Sequence, residues 1–149
     1  MSSPTVSTKG GRGGHDLAWR LLQLGRPAAH TIDMMTAPST ITFDDFLKVD
    51  VRVGRIVEVR PFPTARKPAY QLEIDFGPQI GRRRSSAQLT QRYTAEDLVG
   101  RQIMALINFP PRQIASFFSE VLVLGVPDTE GNVVLIEPQA EVPLGGRLF

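Results

Sequence analysis

One long segment, residues 49–60, limits what this chain can fold into more than any other feature of its sequence. Its odd-numbered positions are apolar except Arg55, and most of the even-numbered positions are polar or charged. This period-two pattern is typical of a strand that buries one face. Gly54 stands where a bulge or bend would let such a strand curl around a barrel. The segment therefore predicts a long, bent strand in a curved sheet.

Shorter strand patterns follow and complete the sheet. The second strand alternates cleanly, with Tyr70, Leu72, Ile74 and Phe76 on one face. Further strands are expected over residues 82–89, 102–109, 121–126 and 133–136, and the last two flank a hairpin-turn signal at residues 128–131. This order predicts an all-β fold: a five-stranded OB-fold Greek-key barrel with short helices and C-terminal strand additions.

Two short helices are predicted from one signature, the capping box. Thr42 is followed three residues later by Asp45, and Thr94 is followed in the same way by Asp97. In a capping box the hydroxyl and the carboxylate each accept a backbone N–H at the start of the helix. Gly100 would end the second helix.

Composition changes near residue 40 and divides the chain into two parts. Residues 1–40 include the run Lys9-Gly10-Gly11-Arg12-Gly13-Gly14, which has no apolar face, so we expect a flexible leader there. Met34 and Met35 stand just before the regular pattern, and the natural product is expected to begin at one of them. The net charge of +2 arises from the leader, because bases and acids balance over residues 41–149. A charge-dependent function must therefore use a local cluster.

The sequence offers no recognisable catalytic centre. Cysteine is absent, and both histidines, His15 and His30, lie in the leader, which excludes thiol nucleophiles and cysteine-ligated metals. The paired acids at residues 44–45 and 96–97 have a sufficient role at the helix starts. We therefore expect no enzyme activity, no metal and no cofactor. No stretch approaches the roughly 20 apolar residues of a membrane helix, so we expect a cytoplasmic protein without membrane insertion.

Two of the later strands are apolar on both faces. Residues 103–107 and 121–124 do not alternate, and the interior of a small barrel covers only one face of each strand. Either the N-terminal helix and the C-terminal tail cover the outer face, or a second chain does. The adjacent Phe117 and Phe118 favour a second chain, because neighbouring side chains in a strand cannot both face one core. We expect a homodimer.

Several segments together resemble one protein family. Residues 49–59, Val-Asp-Val-Arg-Val-Gly-Arg-Ile-Val-Glu-Val, are similar to the opening strand of the tRNA-binding domain superfamily. Within that superfamily the chain most resembles the CsaA-type protein secretion chaperones, over about residues 41–149. The segments that carry this resemblance are Ala65-Arg66-Lys67-Pro68-Ala69-Tyr70, Ser85-Ser86-Ala87-Gln88, Asn108-Phe109-Pro110-Pro111 and Ser119-Glu120-Val121-Leu122-Val123-Leu124-Gly125.

The resemblance implies a homodimeric OB-fold domain over residues 41–149, a chaperone role toward exported preproteins and a capacity to bind tRNA. The chain departs from the synthetase-appended members of the superfamily at Ile114-Ala115-Ser116-Phe117-Phe118-Ser119. Those members usually carry a glycine-containing turn and basic residues there. Bulky apolar residues in this place favour peptide binding over a standard tRNA mode.

A run of arginines gives the first candidate site, for RNA. Arg82, Arg84 and Ser86 would share one face of the third strand, where guanidinium groups can bind phosphate oxygens in pairs. Arg66 and Lys67 would extend this row, because the loop after the first strand commonly borders the ligand face of an OB fold. The alternative is a solvated charge run that nearby acids neutralise.

The second candidate site is an apolar surface for peptides. Its aromatic side chains would hold peptide side chains, and an Asn amide would pair with the peptide backbone. The same residues could instead form the dimer interface, or serve both purposes. They are Asn108, Phe109, Pro110, Pro111, Ile114, Phe117 and Phe118.

These patterns and the resemblance together predict a function. The leading prediction is a dimeric, chaperone-like binding protein for unfolded or export-bound polypeptides that also binds tRNA. The alternative is a protein that acts chiefly on tRNA or another structured RNA.

Overall fold

A computed structural model of the chain describes residues 39–149. The predicted leader and the expected start at Met34 or Met35 lie outside these residues, except for the last two leader positions. The elements are α1 (Phe43–Leu47), β1 (Val51–Pro61), β2 (Tyr70–Asp75), β3 (Arg82–Ala87), α2 (Ala95–Leu98), β4 (Gln102–Leu106), β5 (Arg112–Ile114), β6 (Phe117–Ser119), β7 (Leu122–Val123), β8 (Gly125–Pro127) and β9 (Val133–Leu135).

Five strands form the main sheet, in the order β3-β2-β1-β4-β7, and each neighbouring pair is antiparallel. The first half of β1 pairs with β4 and its second half pairs with β2. The free edge of β3 returns to the segment before β7. There the Glu120 N–H donates to the Arg84 carbonyl (2.8 Å), and the Ser85 hydroxyl donates to the Val121 carbonyl (3.0 Å). These bonds nearly close the sheet, and the predicted OB-type barrel is confirmed.

The barrel interior is filled by side chains from all five strands of the main sheet and from β9. The predicted inward face of β2 is confirmed, because Leu72, Ile74 and Phe76 are at most 1% exposed and Tyr70 packs against the same cluster. The other buried members of this core are Ile56, Ala87, Leu89, Leu98, Ile103, Ala105, Val121, Val123, Val133 and Leu135.

A second, smaller cluster lies on the outside of the barrel. Its buried members are Val51, Leu106 and Leu122, and Met104, Phe109 and Leu124 pack against them. β4 therefore contributes alternate residues to the inner core and to this outer cluster. The expectation that β4 is covered on both faces is confirmed.

β1 also buries side chains on both of its faces. Val51 belongs to the outer cluster, whereas Ile56, an even-numbered position, lies in the barrel core. Val57 has no partner in the register with β2, so the alternation shifts by one residue there and Val59 packs against the core. The prediction that odd-numbered positions form one buried face is therefore wrong, and the bulge lies at Val57 rather than at Gly54.

Both predicted capping boxes are present. The Thr42 hydroxyl accepts the Asp45 N–H (3.1 Å) and the Thr94 hydroxyl accepts the Asp97 N–H (3.2 Å), and each carboxylate accepts the N–H of its threonine. These backbone hydrogen bonds to the charged carboxylates lower the pKa of Asp45 and of Asp97. Within residues 39–149, none of the helices is long and apolar enough to cross a membrane.

The strand patterns do not predict the β5–β6 hairpin. Its turn is two residues long, since Ile114 pairs with Phe117, and alternation across β6 leaves Phe117 buried and Phe118 46% exposed. The expected strand over residues 121–126 is divided into β7 and β8, and β3 ends at Ala87 rather than at residue 89. The predicted turn at residues 128–131 joins β8 to β9.

The C-terminal segment runs beside the first half of β1. The Val53 N–H donates to the Gly146 carbonyl (2.9 Å), and the Leu148 N–H donates to the Val51 carbonyl (2.9 Å). The Arg147 guanidinium donates to the last carbonyl of α1 (2.7 Å). The C-terminus and α1 are thereby held on the same side of the barrel.

Candidate functional site

A cleft of about 670 Å³ opens between the loop after β1 and the β5–β6 hairpin, across the end of β3. We call it the cationic cleft. Its polar lining residues are Arg66, Lys67, Ser86, Gln88, Arg112 and Gln113. Its smaller or apolar lining residues are Thr64, Ala65, Ala69, Ile114 and Ala115.

A contact between two aromatic rings joins the loop after β1 to the β5–β6 hairpin beside the cationic cleft. Phe62, in the loop, and Phe117, in β6, are 4% and 7% exposed, and their ring centroids are 5.4 Å apart. Ala69 completes this buried cluster. The hairpin is also attached to β3, because the Ser86 N–H donates to the buried Ser119 hydroxyl (3.0 Å). The loop and the hairpin therefore form opposite sides of the cleft, and the end of β3 lies between them.

The cationic cleft is lined by three bases and, within the described chain, by no acid. Arg66, Lys67 and Arg112 have no carboxylate within 4.0 Å among residues 39–149. Eight other bases are each paired with an acid: Lys48, Arg52, Arg55, Arg60, Arg82, Arg92, Arg101 and Arg147. A concave surface with one sign of charge attracts and concentrates ions of the opposite sign.

Arg112, the first residue of β5, has one guanidinium nitrogen that is buried without a hydrogen bond within residues 39–149. Its Nη1 nitrogen is buried and has no hydrogen-bond partner in the part of the chain that the structure describes. A buried donor on a charged group is costly to leave without an acceptor. Arg112 also lines the cationic cleft.

Comparison with known proteins identifies the family. Residues 51–147 match the family described as "Putative tRNA binding domain". The chain belongs to this family.

Individual relatives agree with this assignment. Methionine–tRNA ligase of Porphyromonas gingivalis is 37% identical over 108 residues, which are 72% of this chain but only 15% of the ligase. Crystal structures of the chaperone CsaA from Bacillus anthracis and from Picrophilus torridus are 50% and 48% identical, each with a TM-score of 0.69. Each comparison covers 74% of this chain and 100% of the CsaA chain. The resemblance to CsaA-type members of the family is confirmed.

The predicted RNA-binding residues lie in two separate places on the tRNA-binding domain. Arg66, Lys67 and Ser86 line the cationic cleft. Arg82 and Arg84 lie further along β3, in the register positions opposite Asp75 and Glu73. The structure therefore does not join the five residues into one row.

Acidic and aromatic side chains lie next to Arg82 and Arg84. Arg82 Nη1 is 3.7 Å from Glu73 Oε2, and the Arg84 guanidinium lies 5.2 Å from the centre of the Phe117 ring. Arg84 also lines a smaller cleft of about 140 Å³ together with two acids, Glu58 and Glu73. Arg82 is therefore paired with an acid, whereas Arg84 has no carboxylate within 4.0 Å of its guanidinium in the described residues but shares its cleft with two acids.

The predicted peptide-binding residues are likewise dispersed. The Asn108 amide accepts the Asp50 N–H (3.1 Å) and donates to the Lys48 carbonyl (2.6 Å), so it is occupied within the chain. Phe109 packs against the outer cluster, whereas Ile114 and Phe117 belong to the cluster beside the cationic cleft. Pro110, Pro111 and Phe118 are exposed.

Sequence reasoning missed the residues that complete the cationic cleft. Arg112 and Gln113 stand in no charge run and in no recognisable motif, and Gln88 belongs to a segment of the family resemblance without having been assigned to a site. The available signal is that no acid occurs between residues 98 and 119, so Arg112 has no neighbour along the chain that would neutralise it. In the described residues no three His, Cys, Asp or Glu side chains come together as metal ligands would.

Proposed function

We propose that this protein is a non-catalytic RNA-binding protein, and that its cationic cleft holds the phosphate backbone of tRNA or of another structured RNA. One observation carries the proposal: three bases without acidic partners line a single concave surface. Membership of the tRNA-binding domain family supports tRNA as the ligand. The cytoplasm, where tRNA occurs, is the compartment that this function requires.

The chemistry of the cationic cleft suits phosphate. Arg66 and Arg112 present planar guanidinium groups, which donate two parallel hydrogen bonds to a phosphate, and Lys67 adds a mobile point charge. Ser86 adds a hydroxyl at the floor. Neutralising phosphates releases bound counterions, so each contact makes the affinity more dependent on salt.

A pair of double variants tests this assignment. Arg66→Ala/Lys67→Ala and Arg82→Ala/Arg84→Ala remove the same charge and differ only in where it lies. Dissociation constants for tRNA are measured over a salt series for both variants and for the unaltered protein. We expect the first variant to reduce the slope of log affinity against log salt by about 1.5, since each phosphate contact contributes about 0.7–0.9. The second variant should leave the slope unchanged.

Other outcomes of that experiment would redirect or end the proposal. If Arg82→Ala/Arg84→Ala instead reduces the slope of log affinity against log salt, the phosphates bind along β3 rather than in the cationic cleft. If neither variant differs from the unaltered protein, the cationic cleft is not the RNA site, and if the unaltered protein does not bind tRNA the proposed function is refuted.

A second candidate function is the holding of unfolded or export-bound polypeptides. Phe118 favours it, because this phenylalanine is 46% exposed at the hairpin beside the cationic cleft. The similarity to two structures described as chaperones gives further support. Binding through an apolar side chain should persist as salt rises, unlike binding to phosphate. We expect Phe118→Ser to weaken binding of an unfolded preprotein severalfold, and Val99→Ser, at another exposed apolar residue, to leave it unchanged.

The proposed active form is a homodimer. Exposed apolar residues gather where α1 and the C-terminal segment meet: Ile41, Phe43, Leu47, Val49, Leu148 and Phe149 are 41% to 107% exposed. A continuous apolar surface of this kind is typical of a protein interface. A second copy of the chain would cover it and would extend the outer cluster.

A further inference from the structure

A second compartment adjoins the cationic cleft on the side of the β8–β9 turn. Its volume is about 230 Å³, and it shares Lys67 and Gln88 with the cationic cleft. We call it the amide compartment. The two compartments therefore lie side by side, with Lys67 and Gln88 at their common border.

The amide compartment differs from the cationic cleft in its chemistry. Apart from Lys67, its polar side chains are uncharged: Gln88, Thr90, Gln91 and Asn132. Pro68 and Val133 provide its apolar lining. In residues 39–149, the side chains of Gln88, Thr90 and Gln91 make no hydrogen bond, and the Asn132 amide makes only a long contact of 3.4 Å to Glu130. These amides and the hydroxyl are available as both donors and acceptors.

We infer that the two compartments together bind an unpaired nucleotide of RNA, with its phosphate in the cationic cleft and its base in the amide compartment. This inference rests on the proposed RNA-binding function and adds the kind of RNA that the site accepts. Phosphate carries charge and no sequence information, whereas a base edge carries a pattern of donors and acceptors. The two linings match these two parts of a nucleotide.

The shape of the site favours an unpaired base over a duplex. In an A-form helix the pairing edge of each base is already bonded to its partner, and the major groove is too deep and narrow for side chains to reach. A base that is free of its partner presents its pairing edge, and uncharged amides can bond to that edge. The compartment is also smaller than the roughly 300–1,000 Å³ of typical ligand sites, which suits one ring system.

The arrangement does not suit an extended polypeptide. A peptide backbone would need a free strand edge or a row of apolar pockets, and the amide compartment offers two apolar side chains, Pro68 and Val133. An acidic peptide would satisfy the cationic cleft but would leave the amides without base edges. It is therefore the appropriate competitor in a test.

The experiment compares short RNAs by fluorescence anisotropy. The probes are single-stranded oligonucleotides of A, of C and of U, and a blunt RNA duplex with the same number of phosphates. At one salt concentration we expect the preferred single strand to bind about tenfold more tightly than the duplex, since one paired contact to a base is worth about 1–3 kcal/mol. The three single strands should differ from one another by a smaller factor.

The variant Thr90→Ala/Gln91→Ala removes a hydroxyl and an amide that line the amide compartment and not the cationic cleft, and it does not change charge. It should abolish the preference for the single strand and keep both the duplex affinity and the salt slope. Gln79→Ala is the matched control, because Gln79 is an exposed glutamine in the β2–β3 turn and lies in neither compartment. This control should bind as the unaltered protein does.

Two results would overturn the inference and leave the proposed function intact. One is equal affinity for single strand and duplex, together with no effect of Thr90→Ala/Gln91→Ala. The other is displacement of the RNA by an oligoglutamate of equal charge at equal concentration, which would show that the site recognises charge alone. Failure of every RNA to bind would instead refute the proposed function itself.

Discussion

Gly54 has no side chain, and this allows two core side chains to pack closely against the backbone of β1. A methyl group at this position would lie 2.5 Å from Ile74 Cγ2 and 2.7 Å from Phe76 Cε1. Both of those side chains are in the barrel core and are at most 1% exposed. They cannot move aside without opening the core, because protein interiors are close-packed. The packing of Ile74 and Phe76 against β1 therefore depends on glycine at this position.

Gly54→Ala should destabilise the protein. At an open strand position, replacing glycine by alanine stabilises by roughly 0.5–1 kcal/mol. Here we expect a loss of about 1–3 kcal/mol in the free energy of unfolding, because the added methyl overpacks the core. Urea denaturation measures the difference. A gain in stability would mean that the contacts with Ile74 and Phe76 are not tight.

At the residue scale, the sequence predicts side-chain chemistry better than it predicts which side chains meet. It predicts Arg66 and Lys67 as one pair and places Arg82 and Arg84 on one face of a strand. It does not predict that Glu73 stands opposite Arg84, because the register between β2 and β3 is set by contacts distant in sequence. Arg112 reaches the cationic cleft only through the β5–β6 hairpin, which has no clear sequence signal.

At the element scale, the β5–β6 hairpin contains a strained turn. Ala115 has a φ of 53°, and it is the one residue of the described chain other than glycine with a positive φ. The left-handed region costs an L-residue roughly 1–2 kcal/mol. Ala115 also lines the cationic cleft. Residues in unfavourable backbone conformations often lie at binding sites, where the surrounding structure fixes them.

Ala115→Gly should raise the free energy of unfolding by up to about 1 kcal/mol, since glycine adopts a positive φ without strain but loses more chain entropy on folding. Ser116→Gly is the matched control in the same turn. Ser116 does not have a positive φ, so glycine there should lower stability. Thermal unfolding measures the two changes in stability, which should have opposite signs. Destabilisation by both substitutions would show that the turn is not strained at Ala115.

The order of the elements could be predicted from sequence, but some of their details could not. The alternation of β2 and both capping boxes depend on residues close in sequence, and the structure has them as predicted. The buried face of β1 depends instead on what covers its outside. A strand with a core on both sides does not reveal from its own residues which side chains face inward.

At the scale of the whole molecule, the exposed apolar surface and the cationic cleft are built from different parts of the chain. The apolar surface belongs to α1 and the C-terminal segment. The cationic cleft is formed by residues 64–69, 86–88 and 112–115. A homodimer formed through the apolar surface would therefore not need the partner chain to complete either compartment.

A homodimer makes the melting temperature depend on protein concentration. Association stabilises the folded dimer by about 1.4 kcal/mol for each tenfold rise in concentration. Phe43→Ser/Leu47→Ser should remove this dependence and give a monomer in sedimentation experiments. Val99→Ser, at an exposed apolar residue of the α2 end, is the control and should remain dimeric. A melting temperature that does not change with concentration in the unaltered protein would contradict the proposed dimer.

The same monomeric variant separates assembly from RNA binding. Because neither α1 nor the C-terminal segment lines the cationic cleft or the amide compartment, Phe43→Ser/Leu47→Ser should bind a short single-stranded RNA with unchanged affinity per chain. A whole tRNA that reaches both clefts of a dimer should bind the variant more weakly, since the second contact in the dimer is intramolecular. Loss of affinity for the short RNA would instead mean that a partner chain contributes to the site.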